Sequence, residues 1–197
     1  MDVNARIALL YGTGEGHTRK IADHIATHLK EMNHRVELFD VQKLPGDFSL
    51  DGYDGAIIGA SIHAGNYSRA VKNAVRDYKQ WLKTSPSAFF SVSLTAAEES
   101  EQAKEQVQAY IDDFIARSDW HPVLVASFAG AMPFSRYGFM KRMLMRAAGR
   151  RLEGEGDFDT TRDYEYTDWA SVDEFIEQFL SHLGLAGESS GESRPSV

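Results

Sequence analysis

The sequence predicts a doubly wound α/β domain with five parallel strands in the order 2-1-3-4-5 and helices on both faces. Three observations predict it. Short apolar runs alternate with longer stretches of helical periodicity along most of the 197 residues. The first and third runs are nearly continuous rather than alternating, as strands buried on both faces require. The first run also breaks into a Gly- and Thr-rich turn that opens directly into a helix, which is how a ligand edge begins in such sheets.

Ile7-Ala8-Leu9-Leu10-Tyr11 is the first strand. The following helix runs from His17 to about Met32, with Ile21, Ile25 and Leu29 recurring on one face and Asn33-His34 as its stop. Val36–Asp40 alternates and forms the second strand, and Tyr53–Gly59 is apolar enough to be a central third. A helix over Ser68–Leu82 turns Val71, Val75, Tyr78 and Leu82 inward, and Pro86 introduces the fourth strand, Ser87–Ser93. Glu98–Arg117 buries Val107, Ile111, Phe114 and Ile115 as a further helix, and Pro122–Ala129 is the fifth strand. The last helix spans about Thr167 to Leu183, with Thr167-Asp168-Trp169 supplying its N-cap. Right-handed crossovers between these strands bring three loops to one edge: Gly12–Thr18, Ala60–Tyr67 and Ser93–Ala97. One domain over residues 1–186 accounts for the chain, and the polar, low-complexity stretch 187–197 reads as a disordered tail.

Composition narrows the function. No run approaches the length of a membrane span and no signal peptide opens the chain, so a cytoplasmic protein is expected. The absence of cysteine excludes disulfides, thiolate catalysis and Cys-ligated metals, and no metal site is expected. A net charge of −8 argues against nucleic-acid partners, whereas a homo-oligomer is compatible with it.

The loop Thr13-Gly14-Glu15-Gly16-His17-Thr18 has the makings of an anion site: inward backbone N–H groups, two threonine hydroxyls and a helix N-terminus. It carries no lysine or arginine, so neutral donors would hold the anion. A Walker loop fails because His17 follows Gly16, and a dinucleotide fingerprint fails because Gly12, Gly14 and Gly16 are two apart throughout. The remaining pattern, Thr-Gly-x-Gly-x-Thr, resembles the FMN phosphate loop of flavodoxins with one extra residue before the last threonine; an ordinary Gly-rich turn is the alternative. The second loop, with Ser61, Ile62, His63, Ala64, Gly65, Asn66 and Tyr67, is small enough to admit a flat ring against its backbone. His63 and Tyr67 could each offer a face or a hydrogen bond; a loop histidine and simple core packing are the competing readings. The third loop, Ser93-Leu94-Thr95, lacks the aromatic that stacks on the outer flavin face in flavodoxins.

Between Gly130 and Thr167 the βα rhythm breaks, which marks an insertion over about 131–163. Phe139, Met140, Met143, Leu144 and Ala147 fall on one helical side, with Lys141, Arg142, Arg146, Arg150 and Arg151 around it and Arg136 just before. From His121 to Leu152 these six basic residues meet no acidic one, so the remainder carries −14. A basic amphipathic helix on an acidic protein suits an anionic membrane surface or a partner, or equally packing on its own domain. Asp163–Tyr166 is read as resuming an interrupted edge strand.

Taken together, the loops and insertion resemble the menaquinone-dependent protoporphyrinogen dehydrogenases, a flavodoxin-like family with a long late insertion. The resemblance covers about Arg6 to Leu183. It is carried by Gly16-His17-Thr18-Arg19-Lys20-Ile21, by Ile58-Gly59-Ala60-Ser61-Ile62 with Gly65 and Tyr67, and by Pro86–Val92. Ala129-Gly130-Ala131 leading to Arg136-Tyr137, and Tyr166-Thr167-Asp168-Trp169, complete it. Gly14 departs toward ordinary flavodoxins. The resemblance implies an FMN-dependent oxidoreductase of haem biosynthesis that passes electrons from a porphyrinogen to a membrane quinone, peripherally at the inner face of the cell membrane. A flavodoxin shuttling electrons between proteins and an NAD(P)H-quinone reductase are the other readings of the same residues.

Overall fold

A computed structural model describes residues 4–132, 134–136 and 161–184. Its strands are β1 (Arg6–Gly12), β2 (Arg35–Asp40), β3 (Gly55–His63), β4 (Asn66–Tyr67), β5 (Ser87–Ser93), β6 (Leu124–Ala129), β7 (Ala131–Met132) and β8 (Tyr164–Glu165). Its helices are α1 (His17–Glu31), α2 (Arg69–Asp77), α3 (Lys79–Thr84), α4 (Glu101–Ser118) and α5 (Trp169–His182). The main sheet runs β2-β1-β3-β5-β6 with every neighbouring pair parallel, which is the expected 2-1-3-4-5 order of the five long strands.

The pleat distributes alternate side chains to two cores. Ile7, Leu9, Tyr11 and Phe90 meet Ile21, Ile25 and Leu29 of α1 and Phe175, Ile176 and Phe179 of α5. Ala8, Leu10, Ile58 and Phe89 face the other way, onto Val71, Val75, Leu82, Phe114 and Trp120. Trp120, fully buried, directs its indole N–H to Ser87 Oγ at 2.9 Å, so the largest side chain of the core leaves no polar atom unpaired.

Three elements differ from the sequence reading. The helix expected over Ser68–Leu82 breaks at Tyr78, whose backbone (φ −102°) joins α2 to α3. The Tyr78 ring stands edge-on to Phe48 and its hydroxyl donates to the Phe48 carbonyl at 3.2 Å, contacts that a helical period does not reveal. β3 outlasts the expected strand by four residues and folds back as a hairpin, Ile62 opposite Tyr67 and His63 opposite Asn66. Ala64 (φ 48°) and Gly65 (φ 75°) form its two-residue turn, the pair of positive φ values that tight hairpins use. Tyr164-Glu165 does not resume the edge of the main sheet; it pairs antiparallel with Ala131-Met132 and closes the base of the insertion. The basic residues Lys141, Arg142, Arg146, Arg150 and Arg151 and the tail lie outside the described residues, while Arg136 ends a short 3-10 turn, Phe134–Arg136.

One glycine of β3 is required by packing alone. A Cβ at Gly59 would stand 2.0 Å from the ring of fully buried Phe90 on the neighbouring strand. Gly59→Ala should therefore destabilise the protein by about 1–3 kcal/mol. Urea unfolding measures it, and an unchanged midpoint would show that Phe90 yields freely.

Candidate functional site

The carboxyl ends of β1, β3, β5 and β6 surround a cavity of about 410 Å³, within the range of small-molecule sites. The first loop contributes Thr13, Glu15, His17 and Thr18 to its wall, and the second contributes Ser61, Ile62, His63, Ala64 and Gly65. Ser93, Leu94 and Thr95 come from the third. Val92, Tyr110, Gly130 and Ala131 complete the wall and escaped the sequence reading. Tyr110 sits on α4 at the border of its buried stripe, one turn from Val107 and Phe114, and only the fold shows it lying against the Gly65 turn, 3.2 Å from where a Cβ would stand. In the sequence Gly130 was visible as the residue at which the βα rhythm fails and, with Ala131, as a carrier of the family resemblance, but not as part of the site.

The first loop is shaped by its own small bonds. The Gly16 N–H donates to Thr13 Oγ1 at 2.8 Å, and Gly16 (φ 93°) then turns the chain into α1 in a conformation costly for any other residue. The start of α1 has no side-chain cap and no acidic residue in its first turn, so its N–H groups keep their capacity for an anion. Thr18 is fully buried, and its Oγ1 has no hydrogen-bond partner among the described residues. Gly14 and Gly16 do not line the cavity but build it: a Cβ at Gly14 would strike His63 Nε2 at 2.3 Å, so the histidine ring closes over the loop.

His17, at the cavity wall, is tied to Thr167. Thr167 Oγ1 donates to the Ala129 carbonyl at 2.7 Å, which leaves it to accept from His17 Nε2 at 2.6 Å. That assignment puts the proton on Nε2. Burial holds the imidazole below its ordinary pKa, with Glu165 opposing and Lys20 reinforcing the shift, so the ring is neutral. Beside it Lys20 Nζ meets Glu165 Oε2 at 2.5 Å; burial pushes this carboxyl up, but the Lys20 bond and charge prevail and hold it low. His17, Lys20 and Glu165 line a second, adjoining cavity with Glu15, Gly16 and Ala131.

Two residues of the second loop stand elsewhere. Tyr67 is buried beneath the cavity, packed on Phe89 and Phe114, with its hydroxyl donating to Ser91 Oγ at 2.9 Å and its pKa pushed up to about 12 by burial. Asn66 accepts from Lys72 Nζ at 2.8 Å. Neither lines the cavity wall. In their two-residue pairing with β3 they face opposite ways, Tyr67 into the core and Asn66 to the surface.

The model of the flavodoxin domain family matches residues 8–159. The chain belongs to that family. Among curated proteins it is similar to protoporphyrinogen IX dehydrogenase [quinone] of Leishmania major, 38% identical over 174 residues, covering 88% of this chain and 74% of that one. The protein of the same name from Escherichia coli strain K12 is 34% identical over 179 residues, covering 89% and 94%. The flavin cofactor implied by the flavodoxin family fits the residues present: the uncapped amides of α1 and the orphaned Thr18 hydroxyl supply neutral donors for an anionic group.

The histidines give this flavodoxin-family chain a pH signature. His34, like His17, is lowered by burial, and its Nδ1 accepts from the Ala5 N–H at 3.3 Å. Folded-state values below the unfolded one mean that the unfolded chain takes up protons first. Stability is then present above about pH 6.5 and is lost as pH falls through the folded values. The urea midpoint should drop between about pH 7 and about pH 5, and His17→Gln with His34→Gln should flatten that drop. An equally steep profile in the double variant would assign it to other groups.

Proposed function

We propose that this chain binds FMN in the cavity at the strand ends and oxidises protoporphyrinogen IX to protoporphyrin IX with a quinone as acceptor. The observation that carries the reading is the neutral anion cradle at the start of α1, in a chain 34–38% identical to quinone-linked dehydrogenases over 88–89% of its length. Thr13, Thr18 and the N–H groups of Gly14, Glu15, His17 and Thr18 would hold the phosphate, the Gly16 N–H being committed to Thr13 Oγ1. The segments Ser61–Gly65 and Ser93–Thr95 would flank the ring. Bound flavin supplies the electron exchange between porphyrinogen and quinone. The chain's own residues orient and exclude. His17 stays neutral and tethered to Thr167, leaving the amide dipoles to balance the phosphate charge. Among the described residues, Leu94 and Thr95 place no aromatic on that wall, which would leave room for a flat substrate.

The insertion is rooted beside this wall. Met132, Phe134 and Tyr164 form a small core against which Leu94 of the third loop packs, and Ser135 donates through N–H and Oγ to the Asp163 carboxylate, both at 2.8 Å. Among the described residues no helix is long and apolar enough to cross a membrane. The basic run from Arg136 to Arg151 therefore supports a cytoplasmic protein that meets an anionic bilayer, where a quinone resides, through this segment.

Turnover of protoporphyrinogen IX with a menaquinone analogue tests the activity. Oxidation of NADPH instead would assign a reductase, and transfer only to a partner protein would assign an electron carrier. Thr18→Val keeps the side-chain shape while removing the unpaired buried hydroxyl, so the apoprotein should be as stable as the parent or more so. FMN affinity should fall about tenfold or more, because a hydrogen bond to a charged group contributes about 1.5–3 kcal/mol, while riboflavin affinity holds. Equal loss of both ligands would remove Thr18 from the phosphate site. Reversing Lys141, Arg142 and Arg146 to glutamate should abolish sedimentation with anionic vesicles at unchanged FMN content, each charge contributing about 1 kcal/mol. Retained sedimentation would place membrane contact elsewhere.

A further inference from the structure

We propose that His24, His28 and Asp173 form a Zn²⁺ site that clips α1 to α5. His24 and His28 are one helical turn apart on α1, so their rings rise from the same face. Asp173 reaches them from the first turns of α5. Its Oδ1 stands 2.7 Å from His24 Nε2 and 3.2 Å from His28 Nδ1. The three ligand atoms lie within 4.8 Å of one another, and this is the one such group of three among the described residues. A tetrahedral zinc with bonds of about 2.0–2.1 Å separates its ligand atoms by about 3.3 Å, so small side-chain rotations bring separations that now start at 2.7 Å and stay within 4.8 Å to that size.

The chemistry of the donors selects the ion. Two imidazoles and one carboxylate, without thiolate, suit Zn²⁺ rather than Mg²⁺ or Ca²⁺, which take oxygen ligands. A neutral imidazole needs only to carry its proton on the other nitrogen to present a lone pair. The side chains are about a third exposed (35%, 31% and 39%), so a hydrated ion reaches them and keeps water in the fourth position. The indole of Trp169 packs against the His24 ring at 4.7 Å between centroids and restricts its orientation, as surrounding groups do around metal ligands.

None of the three residues lines the strand-edge cavities, so the site is structural and separate from the flavin reading. It joins the helix that begins at the phosphate loop to the helix that begins just after Thr167, the residue that holds His17. The sequence offered no hint of it beyond a histidine pair, because the carboxylate is 145 residues from the nearer histidine.

The test uses the full chain, stripped of metal with a chelator and titrated with ZnCl₂ by calorimetry and thermal unfolding. One Zn²⁺ should bind per chain, and the melting temperature should rise with free Zn²⁺ because the folded state alone holds the three ligands together. His24→Gln, His28→Gln and Asp173→Asn should each weaken binding about tenfold or more, while His121→Gln should not. Flavin content, read in the same samples, should be equal in all variants, which separates this site from the cofactor cavity. Absence of saturable binding to the parent protein overturns the proposal. So does Asp173→Asn with undiminished affinity, which would leave only a surface histidine pair.

Discussion

The N–H groups at the start of α1 lack a side-chain cap, and the ligand edge is arranged around that deficit. The other long helices close their first turn with a side chain: Ser68 bonds the Val71 N–H, Ser100 the Ala103 N–H and Asp168 the Ala170 N–H. At α1 the preceding residue is Gly16, which turns the chain with positive φ and offers no oxygen. The adjacent Thr13 hydroxyl goes to the Gly16 N–H instead, shaping the loop rather than capping the helix. An uncapped helix start above buried Thr18 is costly for a free protein and useful for one that holds an anion.

A chain of short bonds keeps that end in place. His17 donates to Thr167, and Thr167 donates to the carbonyl of Ala129, the last residue of β6. One step along α1, Lys20 pairs with Glu165 of the β7–β8 ribbon. The loop after β1, the end of β6 and the base of the insertion therefore share one network, although they are separated by over a hundred residues of sequence. Neutral His17 matters here, because a protonated ring could not have been buried in this network without cost.

The second loop is rigid for a different reason. Its Ala64-Gly65 turn and two-residue pairing make it a hairpin continuous with β3, the central strand. Tyr67 anchors that hairpin in the core through Phe89, Phe114 and Ser91, while Tyr110 supports the turn from α4. The cavity wall it presents is thus backbone and small side chains on a fixed support, the surface a flat ring requires.

The order of the five strands, their helices and the position of the three loops were legible because they depend on apolar periodicity and on which residues tolerate tight turns, both local properties of the chain. Thr13, Thr18, His63, Gly65 and Ser93 could be placed at the edge for the same reason: they follow directly from strand ends. Tertiary structure alone decided what those residues face. Tyr67 points into the core and Tyr110 toward the Gly65 turn because of how α4 crosses the sheet, and Tyr164-Glu165 pairs with Ala131-Met132 because β6 ends at Ala129. The same holds for His24, His28 and Asp173. A helical period places the two histidines on one face, but the carboxylate that completes the group arrives only when α5 packs against α1.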